Sequence, residues 1–283
     1  MTPTKIGFLH PGAMGISLAA SAQNSGNSAV WASEGRSGET RERAESRSLT
    51  DAGNLDALSA ACPVIVSICP PHAAEEVADS VLTRGFRGLY LDANAISPAR
   101  TQRIAARMAE AGVAFVDGSI IGGPAWTPGK TWLYLAGPSA AEMAHYFAAG
   151  PLETAVLGES ADDIGQAAAL KMVFAAYTKG STALLSAILA VADANGVREA
   201  LETQWSRDNS SFARQTQGRV RGVTAKAWRF EGEMYEIADT FEQAGLPAGF
   251  HQAAAEVYRR LAGFKDDDET PPLDAVLAAL RSP

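Results

Sequence analysis

Lys5-Ile-Gly-Phe-Leu-His-Pro-Gly-Ala-Met-Gly15 is the stretch whose reading decides the fold. Lys5 to Leu9 reads as a short apolar strand. It runs into a turn with the spacing of a G-x-G-x-x-G dinucleotide fingerprint whose first glycine is replaced by His10. In that fingerprint the second glycine lets backbone approach a pyrophosphate and the third lets helix pack on strand. Gly12 and Gly15 keep both jobs. Ile16 to Asn24 is helix-compatible, Ser25-Gly26-Asn27 closes it, and Ala29-Val30-Trp31-Ala32 follows as an apolar strand, completing a βαβ unit. The helix start behind Gly12 offers unpaired N–H groups and a positive dipole end, so His10, Pro11, Gly12, Ala13, Met14 and Gly15 form the expected anion cradle.

Outward from this unit, β-like runs near Ile6–Leu9, Ala29–Ala32, Val64–Ile68, Leu89–Asp92, Val113–Asp117 and Thr131–Ala136 alternate with helix-like sequence. Such alternation predicts an α/β fold with a doubly wound, mainly parallel sheet, whose ligands sit beyond the carboxyl ends of the strands. Glu34 to Ser37, Cys69-Pro70-Pro71-His72, Asp92-Ala-Asn-Ala95 and Asp117 to Pro124 all follow strands. From these, Cys69, Pro70 and Asn94 are expected at the cofactor.

From Ser160 the chain turns alanine-rich and helical. Ser160 with Asp163 reads as a capping box, and helix-favouring sequence continues to Asn195-Gly196, on the order of 50 Å at ~1.5 Å per residue. Further helices are predicted at Val197–Trp205, Ser210–Gln217, Thr224–Ala244, Pro247–Leu261 and Leu273–Leu280, with the acidic run Asp266 to Glu269 as a solvated loop. The division expected is a Rossmann-type domain over 1–159 and an all-helical domain over 160–283, joined by the long helix.

The 283 residues carry a formal net charge of −8, which argues against an electrostatic grip on nucleic acid or an anionic membrane. No contiguous apolar run approaches ~18 residues and no signal peptide precedes the first strand, so a cytoplasmic protein is expected. The two cysteines, Cys62 and Cys69, read as reduced thiols, and four scattered histidines give no metal site.

Three blocks together resemble the β-hydroxyacid dehydrogenase and 6-phosphogluconate dehydrogenase superfamily, which includes imine reductases. Gly7-Phe-Leu-His-Pro-Gly-Ala-Met-Gly15 is similar to its opening GFIGLGxMG. Asp117-Gly-Ser-Ile-Ile-Gly-Gly123 is similar to its DAPVSGG substrate loop, and Gly165-Gln-Ala-Ala-Ala-Leu-Lys171 to its GxGxxxK block. The resemblance implies an N-terminal nicotinamide-binding domain, a helical C-terminal domain through which two copies form a homodimer, and a small-molecule substrate. It implies that Lys171 handles the proton while the nicotinamide moves the hydride. Helical spacing sets Ala175, Thr178 and Thr182 on the face of Lys171, with Lys179 roughly 80° away as a reserve candidate. Ser119, Gly122, Gly123, Asn94 and Thr178 are the expected substrate contacts, and Trp126 an aromatic wall. The family's asparagine four residues after its lysine is Ala175 here, and the serine of its SGG is Ile121. Both departures lower the expectation of a simple hydroxycarboxylate.

The end of the second strand chooses the cofactor. Glu34 suits the ribose diol of NAD, whereas Arg36 with Ser37 suits the 2′-phosphate of NADP. NADP is the expectation and NAD the alternative. An oxidative decarboxylase and a non-catalytic NADP sensor are the other readings of the chain.

Overall fold

In the computed structural model, which describes residues 3–265, 267 and 269–282, the apolar runs of the first half become strands of one sheet. These are β1 (Lys5–Phe8), β2 (Ser28–Trp31), β3 (Thr50–Asp51), β4 (Val64–Ser67), β5 (Leu89–Asp92), β6 (Ala114–Gly122), β7 (Thr131–Ala136) and β8 (Leu152–Gly158). Their order is β3-β2-β1-β4-β5-β6-β7-β8. Every pair is parallel except β6 with β7. The strand order reverses at β1, so the turn at its carboxyl end opens into the crevice where α/β sheets bind ligands.

Strand residues alternate between two buried faces, which is why the runs read as continuously apolar. Ile6, Phe8, Val64, Val66 and Leu91 pack into the core that takes Ile16 and Leu18 from α1 (Ala13–Asn24). Ile65, Tyr90 and Phe115 face the opposite core with Leu58, Ala78 and Ile104. Those three come from α3 (Leu55–Ala61), α4 (Ala74–Leu82) and α5 (Pro98–Glu110), while α2 (Gly38–Glu45) follows β2 and α6 (Ala140–His145) follows β7.

Two strands escape a reading by hydrophobic pattern. β3 has two exposed residues, and β8 is an edge strand with mostly half-exposed or exposed side chains. A third difference matters more. Asp117-Gly-Ser-Ile-Ile-Gly122, expected as a loop after the strand, is the second half of β6, because each residue pairs with β7 from Asp117↔Ala136 to Gly122↔Thr131.

The chain forms two compact units, 1–171 and 172–283, which meet inside the long helix rather than at its start near residue 160. The Ser160–Asp163 capping box exists but begins only a 3-10 turn, Ala161–Asp163. Gly165, at φ +108, breaks that turn, and α7 (Gln166–Ala175) starts afterwards. A π turn, Ala176–Gly180, follows, then α8 (Ser181–Ala194). Over Ala161–Ala194 the helical segment is long and apolar enough, by length and composition alone, to cross a membrane. Counting only contiguous apolar residues misses this, since Lys171 and Lys179 interrupt the run.

Among the described residues of the second unit, every regular element is a helix. The unit adds α9 (Arg198–Asp208), α10 (Phe212–Gly222), α11 (Ala227–Gln243), α12 (Gly249–Arg260) and α13 (Leu273–Arg281). Met234, Ile237 and Ala238 of α11 and Ala254, Ala255 and Tyr258 of α12 are buried, and these two helices make the most extensive pairing of the unit. Asp266 and Asp268 of the acidic run lie outside the described residues.

Candidate active site

The turn after β1 is closed by the Gly12 N–H donating to the His10 carbonyl at 2.8 Å. Gly15 packs against that carbonyl so closely that a Cβ would stand 2.2 Å from its oxygen, so only glycine fits there. Gly12 is different. Its backbone is extended, φ −68, and a Cβ on it would meet no protein atom within 4 Å. Neither conformation nor packing demands glycine at 12, so what needs its small size is a group approaching from outside. Gly12 is the N-cap of α1 with no side chain accepting from the first turn and no acidic residue in it, which leaves those N–H groups for an anion. The residues present therefore fit a dinucleotide.

Beside the turn is a cavity of about 210 Å³ lined by Leu9, His10, Ala32, Glu34, Arg36 and Leu55, among others. Burial, and secondarily the Arg36 charge, hold the His10 imidazole down at about 4, so it is neutral. Burial also lowers the Arg36 guanidinium. His10 Nδ1 and Arg36 Nε are both buried without a hydrogen-bond partner. Ser37, expected to join Arg36, instead caps α2: its hydroxyl accepts from the Thr40 N–H at 3.3 Å. Arg41 donates to the carbonyls of Ser33 and Arg36 and thereby fixes the segment that carries Arg36.

Cys69 and Pro70 lie at the end of β4, where burial pushes the Cys69 thiol up to about 12. Asn94 was expected to reach cofactor or substrate, but its polar atoms brace the strand ends. Its Oδ1 accepts from the Cys69 N–H at 2.6 Å, its Nδ2 donates to Ser67 Oγ, and its own N–H donates to Asp92.

A second group of residues gathers at β6. Asp117 Oδ2 accepts three backbone N–H groups, from Gly165, Ala167 and Ala168, at 2.8, 2.9 and 3.3 Å. This carboxylate seats the first turn of α7 on the sheet. From the next turn of α7 the Lys171 Nζ donates to the Ile120 carbonyl at 2.7 Å. Ser119, two residues from Asp117 on the same face of β6, has a buried hydroxyl without a hydrogen-bond partner. Gly122, at φ +126 with Lys130 O only 2.3 Å from where a Cβ would be, must be glycine. The Gly123 carbonyl is held by Thr131 Oγ1 at 2.8 Å. Lys171 is thus tied to β6, the strand that carries Ser119 and Gly122.

Asp117 has no role in the sequence reading, although an acid inside the apolar run Ala114–Ile121 is a visible signal. Burial pushes its carboxyl up to about 6 against the pull of its three donors. Asp92, its register partner on β5, is raised to about 7, first by burial and further by Asp117.

Other expectations are corrected. Trp126 is exposed, and the Arg47 guanidinium lies over its ring at 4.5 Å. The π turn breaks the 3.6-residue count from Lys171, so that count does not set the face of Thr178. The Thr178 hydroxyl donates back to the Phe174 carbonyl, and its own carbonyl accepts from Thr182 and Arg219. Lys179 is committed to an ion pair with Glu233, over the ring of Phe230. His251 is buried, edge-on to Phe241 and Phe250.

The sequence profile of the NAD binding domain of 6-phosphogluconate dehydrogenase matches residues 5–149, half of the chain. A domain of unknown function, DUF1932, matches residues 192–261. No curated protein matches the chain. Among solved structures, the conserved protein MTH1747, of unknown function and similar to 3-hydroxyacid dehydrogenases, is 28% identical. Its alignment covers 92% of this chain and 97% of that one at a TM-score of 0.67. A Mycobacterium tuberculosis 3-hydroxyisobutyrate dehydrogenase is 18% identical, over 99% and 100% of the two chains, at a TM-score of 0.70. A reductive aminase from Aspergillus terreus, in complex with NADPH and ethyl levulinate, is 16% identical over 99% and 100%, at 0.58. These last two likenesses concern the fold alone. With the fingerprint turn, the reversing sheet and the profile match in agreement, the chain belongs to the family of the 6-phosphogluconate dehydrogenase NAD-binding domain.

Proposed function

We propose that the chain is an NADP-dependent oxidoreductase acting on a carbonyl or imine carbon, or the matching alcohol or amine, of a small organic substrate, with Lys171 as general acid and base. The observation that carries this reading is the Lys171 ammonium held on the Ile120 carbonyl of β6, the strand that also carries the buried Ser119 hydroxyl and ends at the glycine pair. A backbone carbonyl orients an amine without removing its charge, so the group stays able to exchange a proton. In reduction, Lys171 gives a proton to the oxygen or nitrogen of the product. In oxidation, it takes that proton back. Ser119 supplies a hydroxyl for a polar atom of the substrate, and Gly122–Gly123 keep the strand end free of side chains. A nicotinamide dinucleotide held at the turn of Gly12 and Gly15 would supply or accept the hydride.

The NADP choice rests on Arg36, whose half-buried guanidinium lines the cavity beside His10. Ala175 and Ile121 remove two polar anchors, which favours a less polar substrate than a 3-hydroxycarboxylate. A homodimer through the helical half is part of the same reading. Val173, Phe174, Tyr177, Leu184 and Val191 are exposed apolar side chains along one helix, and Tyr177 is 73% exposed.

The test is turnover. The purified chain with NADPH and a panel of ketones and cyclic imines is followed by nicotinamide absorbance, with Lys171→Ala as control. The expectation is turnover that falls at least ~100-fold in the variant, the usual worth of a positioned proton donor. Turnover that survives the substitution refutes the role of Lys171.

A further inference from the structure

His10 stands where the fingerprint has its first glycine, yet nothing in the backbone explains the exchange. Ser48 is the one non-glycine residue with positive φ among the described residues, so position 10 has an ordinary conformation. The tight turn is made by its carbonyl, which any residue offers. What His10 adds is an imidazole on the wall of the cavity that Arg36 also lines. Two buried nitrogens there, His10 Nδ1 and Arg36 Nε, lack partners, and buried polar groups of native proteins are rarely left so.

We propose that His10 is a selectivity residue for the dinucleotide: its imidazole, together with Arg36, hydrogen-bonds the 2′-phosphate of the adenosine end. This rests on the NADP reading above. A neutral imidazole in the tautomer protonated at Nδ1 donates one N–H, the guanidinium donates others, and a phosphate oxygen accepts both. The two groups suit an anion better than a hydroxyl. An imidazole next to a fixed cation resists protonation, and a dianion between them removes that conflict. Glu34, exposed on the same cavity, is the group that would instead accept a ribose hydroxyl, and Cys69 is the thiol within electrostatic reach of Arg36.

The experiment is calorimetric titration of the full chain, as wild type, Arg36→Ala and His10→Phe, with 2′,5′-ADP and with 5′-ADP. His10→Phe keeps the ring volume and removes both nitrogens. The expected result is that it weakens 2′,5′-ADP about tenfold, as loss of one hydrogen bond to a charged group does, while 5′-ADP changes less than about twofold. Equal losses for both ligands, or no loss for either, overturn the proposal. If 2′,5′-ADP selectivity disappears in Arg36→Ala and persists in His10→Phe, His10 is excluded while the NADP reading stands. A wild type that binds both ligands equally overturns the NADP reading itself. Should His10→Phe fail to fold, His10→Gly, which restores the fingerprint, carries the same expectation.

Discussion

Replacing Asp117 with alanine removes one oxygen atom on which three backbone N–H groups converge. All three belong to the buried start of α7, where water does not replace the lost acceptor. A buried donor left unpaired costs about 1–3 kcal/mol and a lost helix cap about 0.5–2 kcal/mol. Because the three donors share one acceptor, their costs overlap, and a total of roughly 3–5 kcal/mol is expected. Asp117→Asn keeps an acceptor at the same place without the charge, and is expected to cost about 1 kcal/mol. Urea unfolding followed by tryptophan fluorescence gives the two values, and amide exchange at Gly165, Ala167 and Ala168 locates the loss. The Lys171 amine, bonded to the Ile120 carbonyl from the next turn of α7, should lose that position as well. An Asp117→Ala variant within about 0.5 kcal/mol of wild type, with unchanged exchange at the three amides, refutes the seating role.

Three more outcomes are expected. Asp92 and Asp117 both have folded-state values raised above those of free carboxylates, to about 7 and about 6. Their stabilising contribution is therefore complete below about pH 4 and is lost as pH rises through 6 to 7, the reverse of a salt-bridged carboxylate. Unfolding free energy measured between pH 4.5 and 7.5 should fall with pH from this pair, and Asp92→Asn should flatten the slope. Gly15→Ala places a Cβ 2.2 Å from a backbone oxygen and should destabilise by several kcal/mol, whereas Gly12→Ala meets nothing within 4 Å. Gly12→Ala should thus melt within a few degrees of wild type while weakening NADPH about tenfold or more, and a stability loss equal to that of Gly15→Ala refutes the assignment of Gly12 to a ligand. Arg36→Ala should weaken NADPH by about 10- to 100-fold and leave NADH nearly unchanged, read by fluorescence titration. Equal effects on both cofactors refute Arg36 as the selector.

The reach of the sequence differed between kinds of residue. The βαβ unit is legible because a continuously apolar strand, a two-glycine turn and a small-residue helix each carry a local signature. The continuation of β6 was hidden, since Gly118 and Gly122 read as loop punctuation while the pairing that makes them strand comes from β7, at a distance in sequence. Asp117 shows the same limit, for its partners lie nearly fifty residues on and nothing local announces them. Ser37, Asn94 and Trp126 have partners that no local pattern shows: a helix start, a neighbouring strand end and an arginine. Lys171 could be singled out because a charge within an apolar helix is costly, and that cost is visible in one dimension.

The π turn has a consequence for the length of the chain. In the helical unit the buried positions step from Met172 to Ala175, then by five to Gly180 and on to Thr182 and Ala183. A five-residue step in a helix of 3.6 per turn means that one residue is surplus to an uninterrupted α-helix with the same buried seam. The carbonyls of the widened turn are not wasted, since Thr182 and Arg219 donate to Thr178 and the Tyr258 hydroxyl to Lys179. The segment thus behaves as an insertion absorbed on the spot: shortening Ala176–Gly180 by one residue would close an ordinary turn and leave α8 presenting the same faces as before.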